Sequence, residues 1–440
     1  MNSVISFIGR KDVRIAVGIF SLPIILPLSV AAFPAVVLAI ICSYLITWAV
    51  YLAYAQRDNT KRPVYFNTQL PYLPLSPYRV ALVTKAALSA VFFFITDVLP
   101  ISIKWMAKKC FAKRSESTSS SRVCEDIHYG SSQDKKLDVY CSEPTGRGAG
   151  EAATKRADYP KLPVVIFIYG GSWSSGDKRM YGPMASVMQE KGYVVVVPNY
   201  STFPTGYLAE MVSDIRAVIE WTVAHIRTYG GDPNNLYIMG HSAGAHLGAY
   251  TIVHDAVGSE VKLSKSNTSI EFPLPCYSIP LPPIRGLILL SGVYDIVDHY
   301  QFEANRGVEE VSAMARVMGH KTKKFKGSSP TCLLEAIDFK LILNGKPIRS
   351  LPRNVLLIHG ADDSTVPVSS SRKFVRALEK VGADHVQLHV LEGVDHSQPV
   401  TGKSCDLMLA TTPYSQKFFR LLDRFVLDST LNSRRATPHY

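Results

Sequence analysis

No charged side chain stands between Ile15 and Gln56, a run of 42 residues. A bilayer crossing needs only about 20 apolar residues, so the run is long enough for two. Cysteine is sparse and unpatterned. The seven (Cys42, Cys110, Cys124, Cys141, Cys276, Cys332, Cys405) are odd in number and without C-x-x-C spacing, which argues against a disulfide framework or a cysteine-based zinc site. The histidines are dispersed, and nothing in the chain calls for a metal or an organic cofactor. Net charge is also missing from most of the chain. Residues 1–123 carry 14 Lys or Arg against 4 Asp or Glu, whereas the remainder carries 34 against 32. The basic excess therefore flanks the apolar run, and a nearly neutral large domain argues against a nucleic-acid partner.

Pro34 lies near the middle of the uncharged run, with Pro23 and Pro27 in its first half. We therefore expect a membrane-spanning helical hairpin over about 15–56, with its break near Phe33-Pro34, rather than one over-long helix. A cleavable signal peptide would be shorter and would end in small residues at a cleavage site. Arg10, Lys11 and Arg14 precede the run and Arg57, Lys61 and Arg62 follow it, which places both ends on the cytosolic side. A third apolar stretch, Ala86 to Ile103, contains Asp97 and Pro100 and is followed by Lys104, Lys108, Lys109, Lys113 and Arg114. A crossing there would carry that basic cluster into the lumen, so we read an interfacial helix, with a third span as the alternative. Residues 1–114 are the expected membrane anchor, with membrane lipids as partner, and 115–440 the large domain. The polar stretch RSESTSSSR, Arg114 to Arg122, marks the boundary.

The stretch around which the large domain is organised is Tyr237 to Ala249, YIMGHSAGAHLGA. An apolar strand end runs into Gly240-His241-Ser242-Ala243-Gly244, and good helix formers follow. Glycines two places either side of a serine suit a very sharp strand-to-helix turn, which exposes the hydroxyl at the top of a sheet and aims the helix N-terminus beside it. Ser242 is the candidate nucleophile. For that fold the order should be Ser, then Asp or Glu, then His. Asn354 to Gly360 reads as a buried strand ending in Ala361-Asp362-Asp363-Ser364-Thr365-Val366-Pro367, where the D-x-x-V-P spacing selects Asp363 over Asp362. Val386 to Leu391 reads as a further strand, and His396 on the loop past it is preferred to His385 and His389. Val164 to Tyr169 is an apolar run ending in Gly170-Gly171-Ser172-Trp173. Gly171, Ser172 and Ala243 are the expected oxyanion donors, with Gly170 permitting the turn. Trp173 and His246 are candidate pocket residues, although His246, four residues past Ser242, also reads as a packed or capping histidine.

Strands and helices alternate from Ile127 onward: strands at about 127–140, 193–198 and 285–290, helices at 180–191, 207–229, 369–381 and 415–427. That rhythm means a mostly parallel sheet with helices on both faces. Two segments interrupt it, the proline-rich Gly258 to Pro283 and His299 to Ser329, the latter with a helix-like stretch at Val308 to Met318. Both are candidates for a cap or for plain surface insertions.

These pieces resemble the α/β-hydrolase fold of the esterase and lipase group, and within it the isoprenylcysteine methylesterases. The matching motifs are Tyr-Gly-Gly-Ser-Trp at 169–173, Asn-Tyr-Ser-Thr-Phe-Pro at 199–204, Met-Val-Ser-Asp-Ile at 211–215, Tyr-Gly-Gly-Asp-Pro-Asn at 229–234, Gly-His-Ser-Ala-Gly-Ala-His at 240–246 and His-Gly-Ala-Asp-Asp-Ser-Thr-Val-Pro at 359–367. The chain departs from the group's pattern at Tyr169, Asn199, Ser201 and His241. The resemblance implies a membrane-bound serine esterase of the endoplasmic reticulum or Golgi, and the flanking charges place its large domain in the cytosol. The catalytic roles fall on Ser242, Asp363 and His396, and the implied substrate is a prenylated cysteine methyl ester. A general carboxylesterase or lipase for other lipophilic esters, an arylformamidase-like hydrolase, and an inactive receptor or scaffold on the same fold are the alternatives.

Overall fold

The computed structural model describes residues 33–55, 73–100, 103, 121–142, 161–264, 274, 277–337, 348, 350–402 and 413–436. The first half of the uncharged run, the basic cluster after Ile103 and most of the polar linker lie outside these residues. The chain divides into two compact units, one formed by Met1–Ala90 with Arg306–Val311, the other by Val91–Asn305 with Ser312–Tyr440.

In the smaller unit, helix α1 spans Phe33–Tyr54 among the described residues; the first half of the expected hairpin lies outside them. Helix α2, Pro77–Phe93, starts well before the Ala86 expected from the apolar stretch. Ser76 caps it, its carbonyl and hydroxyl meeting the N–H groups of Val80 and Arg79, and Pro77 takes the first turn, where its missing N–H does no harm. Lys85 is exposed and does not interrupt the helix. Phe33–Tyr54 and Pro77–Thr96 are both long and apolar enough to cross a membrane. They pair antiparallel through polar contacts: the hydroxyls of Thr47 and Thr84 lie 3.1 Å apart, Thr47 donates to the Val80 carbonyl at 3.1 Å, and Thr84 donates to the Ser43 carbonyl at 3.0 Å. At one end Arg79 meets Glu309 at 2.8 Å and donates to the Gly307 carbonyl at 3.2 Å, while the Tyr51 hydroxyl reaches Glu310 at 2.5 Å.

The larger unit is built on an eight-stranded sheet in the order β1-β2-β4-β3-β5-β6-β7-β8. Strands β1 (Ser121–His128) and β2 (Lys136–Ser142) form an antiparallel hairpin, and β2 pairs antiparallel with β4 (Val194–Pro198). The other neighbours, β3 (Leu162–Ile168), β4, β5 (Gly231–His241), β6 (Gly286–Leu290), β7 (Asn354–Gly360) and β8 (His385–Leu391), run parallel. VVVVP in β4 and GLILL in β6 are buried throughout, the unbroken apolar pattern that a sheet covered on both faces requires. Register matters most for function. Ile168 pairs with Gly240, His241 with Leu290, Leu290 with Ile358 and Gly360 with Leu391, so the loops leaving β3, β5, β7 and β8 emerge along one edge.

The covering helices include α3 (Gly182–Glu190), α4 (Leu208–His225) and α5 (Ala243–Ser264). Helix α5 runs straight through Gly258, where an insertion was expected to begin, because one glycine with no proline does not end a helix. The proline-rich segment is tied down beyond it. Arg216 of α4 pairs with Asp255 of α5 at 2.5 Å, donates to the Ile279 carbonyl at 2.6 Å and stacks over Tyr277, while the Leu281 N–H binds Asp255. The second insertion folds into α6 (Ile296–Asn305), α7 (Met314–Met318), α8 (Thr322–Gly327) and α9 (Pro330–Glu335). The helix expected over Val308 to Met318 is confined to α7, since the Ser312 hydroxyl caps the Met314 N–H and Gly319 ends it at φ 88°. Helices α10 (Ser369–Lys380) and α11 (Pro413–Ala436) complete the unit, the latter longer than its sequence pattern suggested.

The Arg216–Asp255 pair is 6% and 7% exposed, so removing one partner strands a buried charge. Arg216→Ala should destabilise the larger unit by about 3–5 kcal/mol in urea unfolding, and Arg216→Met combined with Asp255→Leu should recover most of that loss.

Candidate active site

Ser242 occupies the turn between β5 and α5 with φ of 54°, a left-handed conformation that a serine holds only where its surroundings enforce it. The enforcement is steric. A Cβ on Gly244 would lie 2.1 Å from the Ile168 carbonyl oxygen, and one on Gly240 would lie 2.6 Å from the Gly244 oxygen. Helix α5 can therefore press against the end of β3 only because both residues lack side chains. The Ser242 N–H donates to the Leu290 carbonyl at 2.9 Å and its own carbonyl accepts from His246 at 3.1 Å, which fixes the turn from both sides.

The hydroxyl so exposed meets His396. Ser242 Oγ lies 2.8 Å from His396 Nε2, and His396 Nδ1 lies 2.7 Å from Asp363 Oδ2. Asp362 stands one residue away and bonds through its backbone to Val394, leaving Asp363 as the carboxylate on the imidazole. The Asp363 side chain is fully buried. Its Oδ1 accepts from the Thr365 and Val366 N–H groups at 2.9 and 2.8 Å, and its Oδ2 also faces His359 Nε2 at 3.3 Å. Burial opposes ionisation, but the hydrogen bonds from His359, His396 and the Val366 N–H outweigh it and hold the carboxyl well below the usual carboxylate range.

The Gly170–Trp173 turn lies alongside. A Cβ on Gly170 would come within 3.0 Å of the Ser242 Cβ, and Gly171 has φ of 137°. Ser172 and Trp173 follow at φ 50° and 59°. The N–H groups of Gly171, Ser172 and Ala243 make none of the turn and loop hydrogen bonds among the described residues, and Ala243 is the first residue of α5, where helix N–H groups have no internal partner. Trp173 and His246 are both buried. The Trp173 Nε1–H donates to His246 Nδ1 at 3.1 Å, and the His246 Nε2–H donates to the Ser328 carbonyl at 2.8 Å. The pair thus ties the turn after β3 to α5 and to the segment before α9.

Two further histidines, present in the quoted motifs but given no role from the sequence, also meet this site. His241, beside the serine, donates from Nε2 to the His396 backbone carbonyl at 2.8 Å, its ring centroid 5.0 Å from that of His396. His359 meets Asp363 as above. The signal for each was adjacency to a motif residue, but their partners are remote in sequence. Burial lowers the pKa of His241 to about 3, assisted by nearby His396, and that of His246 to about 4 against the opposing Ser328 hydrogen bond. The other departures from the esterase pattern gather elsewhere. Tyr169, Asn199 and Ser201 line a polar cleft of about 610 Å³ with Lys135, Asp177 and Lys178. There Asn199 Oδ1 accepts from the Lys178 N–H at 2.8 Å, and Lys135 binds both Ser201 and Asp214.

The fold, with a serine on a strained strand-to-helix turn and a histidine and an aspartate delivered by later loops, is that of an α/β-hydrolase. The chain belongs to the BD-FAE family, whose pattern matches residues 153–378. It is similar to a probable isoprenylcysteine alpha-carbonyl methylesterase of Arabidopsis thaliana, 29% identical over 280 residues that make up 62% of this chain and 51% of that protein. It is also similar to a kynurenine formamidase of Danio rerio, 31% identical over 47% of this chain and 59% of that protein. The chain thus spans about half the length of the methylesterase relative. Among solved structures, Esterase B of Lactobacillus rhamnosis shares the fold at a TM-score of 0.53 and 16% identity, covering 82% of this chain and 99% of that one.

The buried imidazoles set a pH dependence. The folded protein keeps His241 and His246 neutral to about 3 and 4, whereas the unfolded chain protonates them near 6.5. The unfolded state therefore binds more protons in this window, and stability falls as pH drops from 6.5 towards 4, by up to roughly 1.4 kcal/mol per pH unit for each ring. Thermal melts should show a steady decline over that range. His241→Gln, which keeps an amide donor for the His396 carbonyl, should show a shallower slope, and an unchanged slope would mean that this ring is not held neutral.

Proposed function

We propose that the chain is a serine esterase in which Ser242 is the nucleophile, His396 the general base and then acid, and Asp363 the orienter. The observation that supports this is the relay from Ser242 Oγ through both His396 nitrogens to Asp363, at 2.8 and 2.7 Å. His396 Nε2 takes the hydroxyl proton as Oγ attacks the ester carbonyl, and the charge on the carbonyl oxygen is met by the N–H groups of Gly171, Ser172 and Ala243, with Gly170 shaping the turn. Each such donor stabilises the transition state by about 3–4 kcal/mol. The imidazolium then protonates the departing alcohol, leaving an acyl-serine. Water, deprotonated by His396, releases the acid and restores Ser242. Asp363 keeps the Nδ1–H tautomer that leaves Nε2 free to accept.

The substrate class we favour is the carboxyl methyl ester of a prenylated cysteine, with hydrolysis at an endoplasmic reticulum or Golgi membrane and the catalytic domain, 115–440, on the cytosolic face. Similarity to methylesterases supports the ester. The apolar helices Phe33–Tyr54 and Pro77–Thr96 support a membrane-held substrate within the anchor, 1–114, and the basic residues around the uncharged run support the orientation. A prenyl chain gains about 0.8 kcal/mol for each CH₂ buried in the bilayer, so such a substrate is met in the membrane. Similarity to a kynurenine formamidase supports the second reading, an amide hydrolase acting on N-formylkynurenine.

Detergent-solubilised protein should hydrolyse farnesylcysteine methyl ester in preference to N-formylkynurenine, and the opposite preference selects the second reading. Ser242→Ala should remove turnover by about 10⁴-fold or more without unfolding the protein, and Asp363→Asn should approach that loss while Asp362→Asn keeps most activity.

Removing residues 1–114 should leave turnover of a short soluble ester largely intact but sharply lower turnover of farnesylcysteine methyl ester in vesicles. Equal loss on both substrates would assign the N-terminal segment to folding instead.

A further inference from the structure

The catalytic reading uses one histidine on Asp363, yet the carboxylate faces two. His359, at the end of β7, is fully buried. Its Nδ1 lies 2.7 Å from the Ser371 hydroxyl on α10, and its Nε2 lies 2.9 Å from the Val366 carbonyl and 3.3 Å from Asp363 Oδ2. A carbonyl can only accept, so the ring proton sits on Nε2 and Nδ1 accepts from Ser371. The same N–H therefore faces both Val366 and the carboxylate. Meanwhile the Val366 N–H returns to Asp363 Oδ1 at 2.8 Å, so the turn from Asp363 to Val366 closes on the ring from both sides.

We propose that His359 is a positioning residue of this site, acting through Asp363: it clamps the Asp363–Val366 turn and shares the Oδ2 charge that would otherwise face His396 alone. The inference rests on the reading of Ser242, His396 and Asp363 given above. Oδ1 is committed to two backbone N–H groups, so Oδ2 is the oxygen whose charge the two imidazoles divide. Asp363 is the charged group in contact with His359, His396 lies across that carboxylate, and His241 is the other titratable neighbour. If the His359 donor is lost, Oδ2 draws more strongly on the His396 Nδ1 proton. The imidazolium form gains and the fraction of His396 able to act as base at a given pH falls. The acid limb of the reaction then moves to higher pH.

The test is the rate at which a fluorophosphonate labels Ser242 in the detergent-solubilised full chain, followed from about pH 5 to pH 9. The probe needs the activated serine but no knowledge of the natural acyl group. His359→Phe removes the donor. His359→Asn keeps an acceptor for Ser371 but stops short of Asp363, and serves if the Phe variant does not fold. His359→Gln extends an amide donor to where Nε2 stood. We expect the acid limb to rise by about one pH unit in the Phe and Asn variants and to return towards wild type in the Gln variant. Coincident limbs in all folded variants, with only a uniform loss of rate, would overturn the proposal and leave His359 a packing residue. Persistent labelling of Ser242→Ala would instead overturn the catalytic reading beneath it.

Discussion

Everything at this site depends on how closely the start of α5 approaches the end of β3. The Gly244 Cα stands where even a methyl group would overlap the Ile168 carbonyl. That contact forces the chain to leave β5 through Ser242 in a left-handed conformation, and such a residue costs of order 1–3 kcal/mol unless the surroundings over-determine it. Here the parallel register supplies the determination. His241 pairs with Leu290, the Ser242 N–H completes the ladder onto that carbonyl, and α5 begins at the next residue. The same approach brings the Gly170–Trp173 turn against the Ser242 Cβ, so the serine and that turn are placed by one packing event.

A second constraint is that the imidazoles near Ser242 have their protons assigned. His241 and His246 each donate from Nε2 to a backbone carbonyl, as does His359, while His396 donates from Nδ1 to Asp363. Burial, opposed by those carbonyl hydrogen bonds, holds His241 and His246 in the neutral form. The Asp363 carboxylate faces the backbone N–H groups of Thr365 and Val366 on one oxygen and the two imidazoles of His359 and His396 on the other. The Trp173–His246–Ser328 chain extends the principle to the oxyanion turn: two successive non-glycine residues at positive φ are held because the second is bonded through its indole and, through its carbonyl, to the Phe203 N–H.

Much of this was legible in the sequence because it is local. The elbow, the apolar strands and the order of Ser242, Asp363 and His396 are patterns within a few residues, and the D-x-x-V-P spacing chose the carboxylate that the structure sets on His396. Helix limits were less legible wherever a single residue was asked to decide. Helix α2 starts at Pro77 rather than Ala86 and Gly258 did not stop α5, since an exposed lysine and a lone glycine are both tolerated inside a helix that tertiary packing supports. His241 and His359 were passed over for a different reason. What each does is set by a partner on another element, the His396 carbonyl for one and Ser371 with Asp363 for the other, and no spacing rule in one chain reports such a pairing.

The least legible contact joins residues more than two hundred positions apart. Glu309 and Glu310 lie in a stretch whose neighbours on both sides belong to the catalytic unit, yet they bind Arg79 and Tyr51 at the end of the α1–α2 pair. The chain therefore passes between the two units at three points, after Ala90, after Asn305 and after Val311, rather than through one linker. Arg79, Glu309 and Glu310 make that end of the helix pair polar. Its opposite stretch, with Val36, Leu38 and Ile40 exposed on α1 and Leu88 on α2, can face lipid.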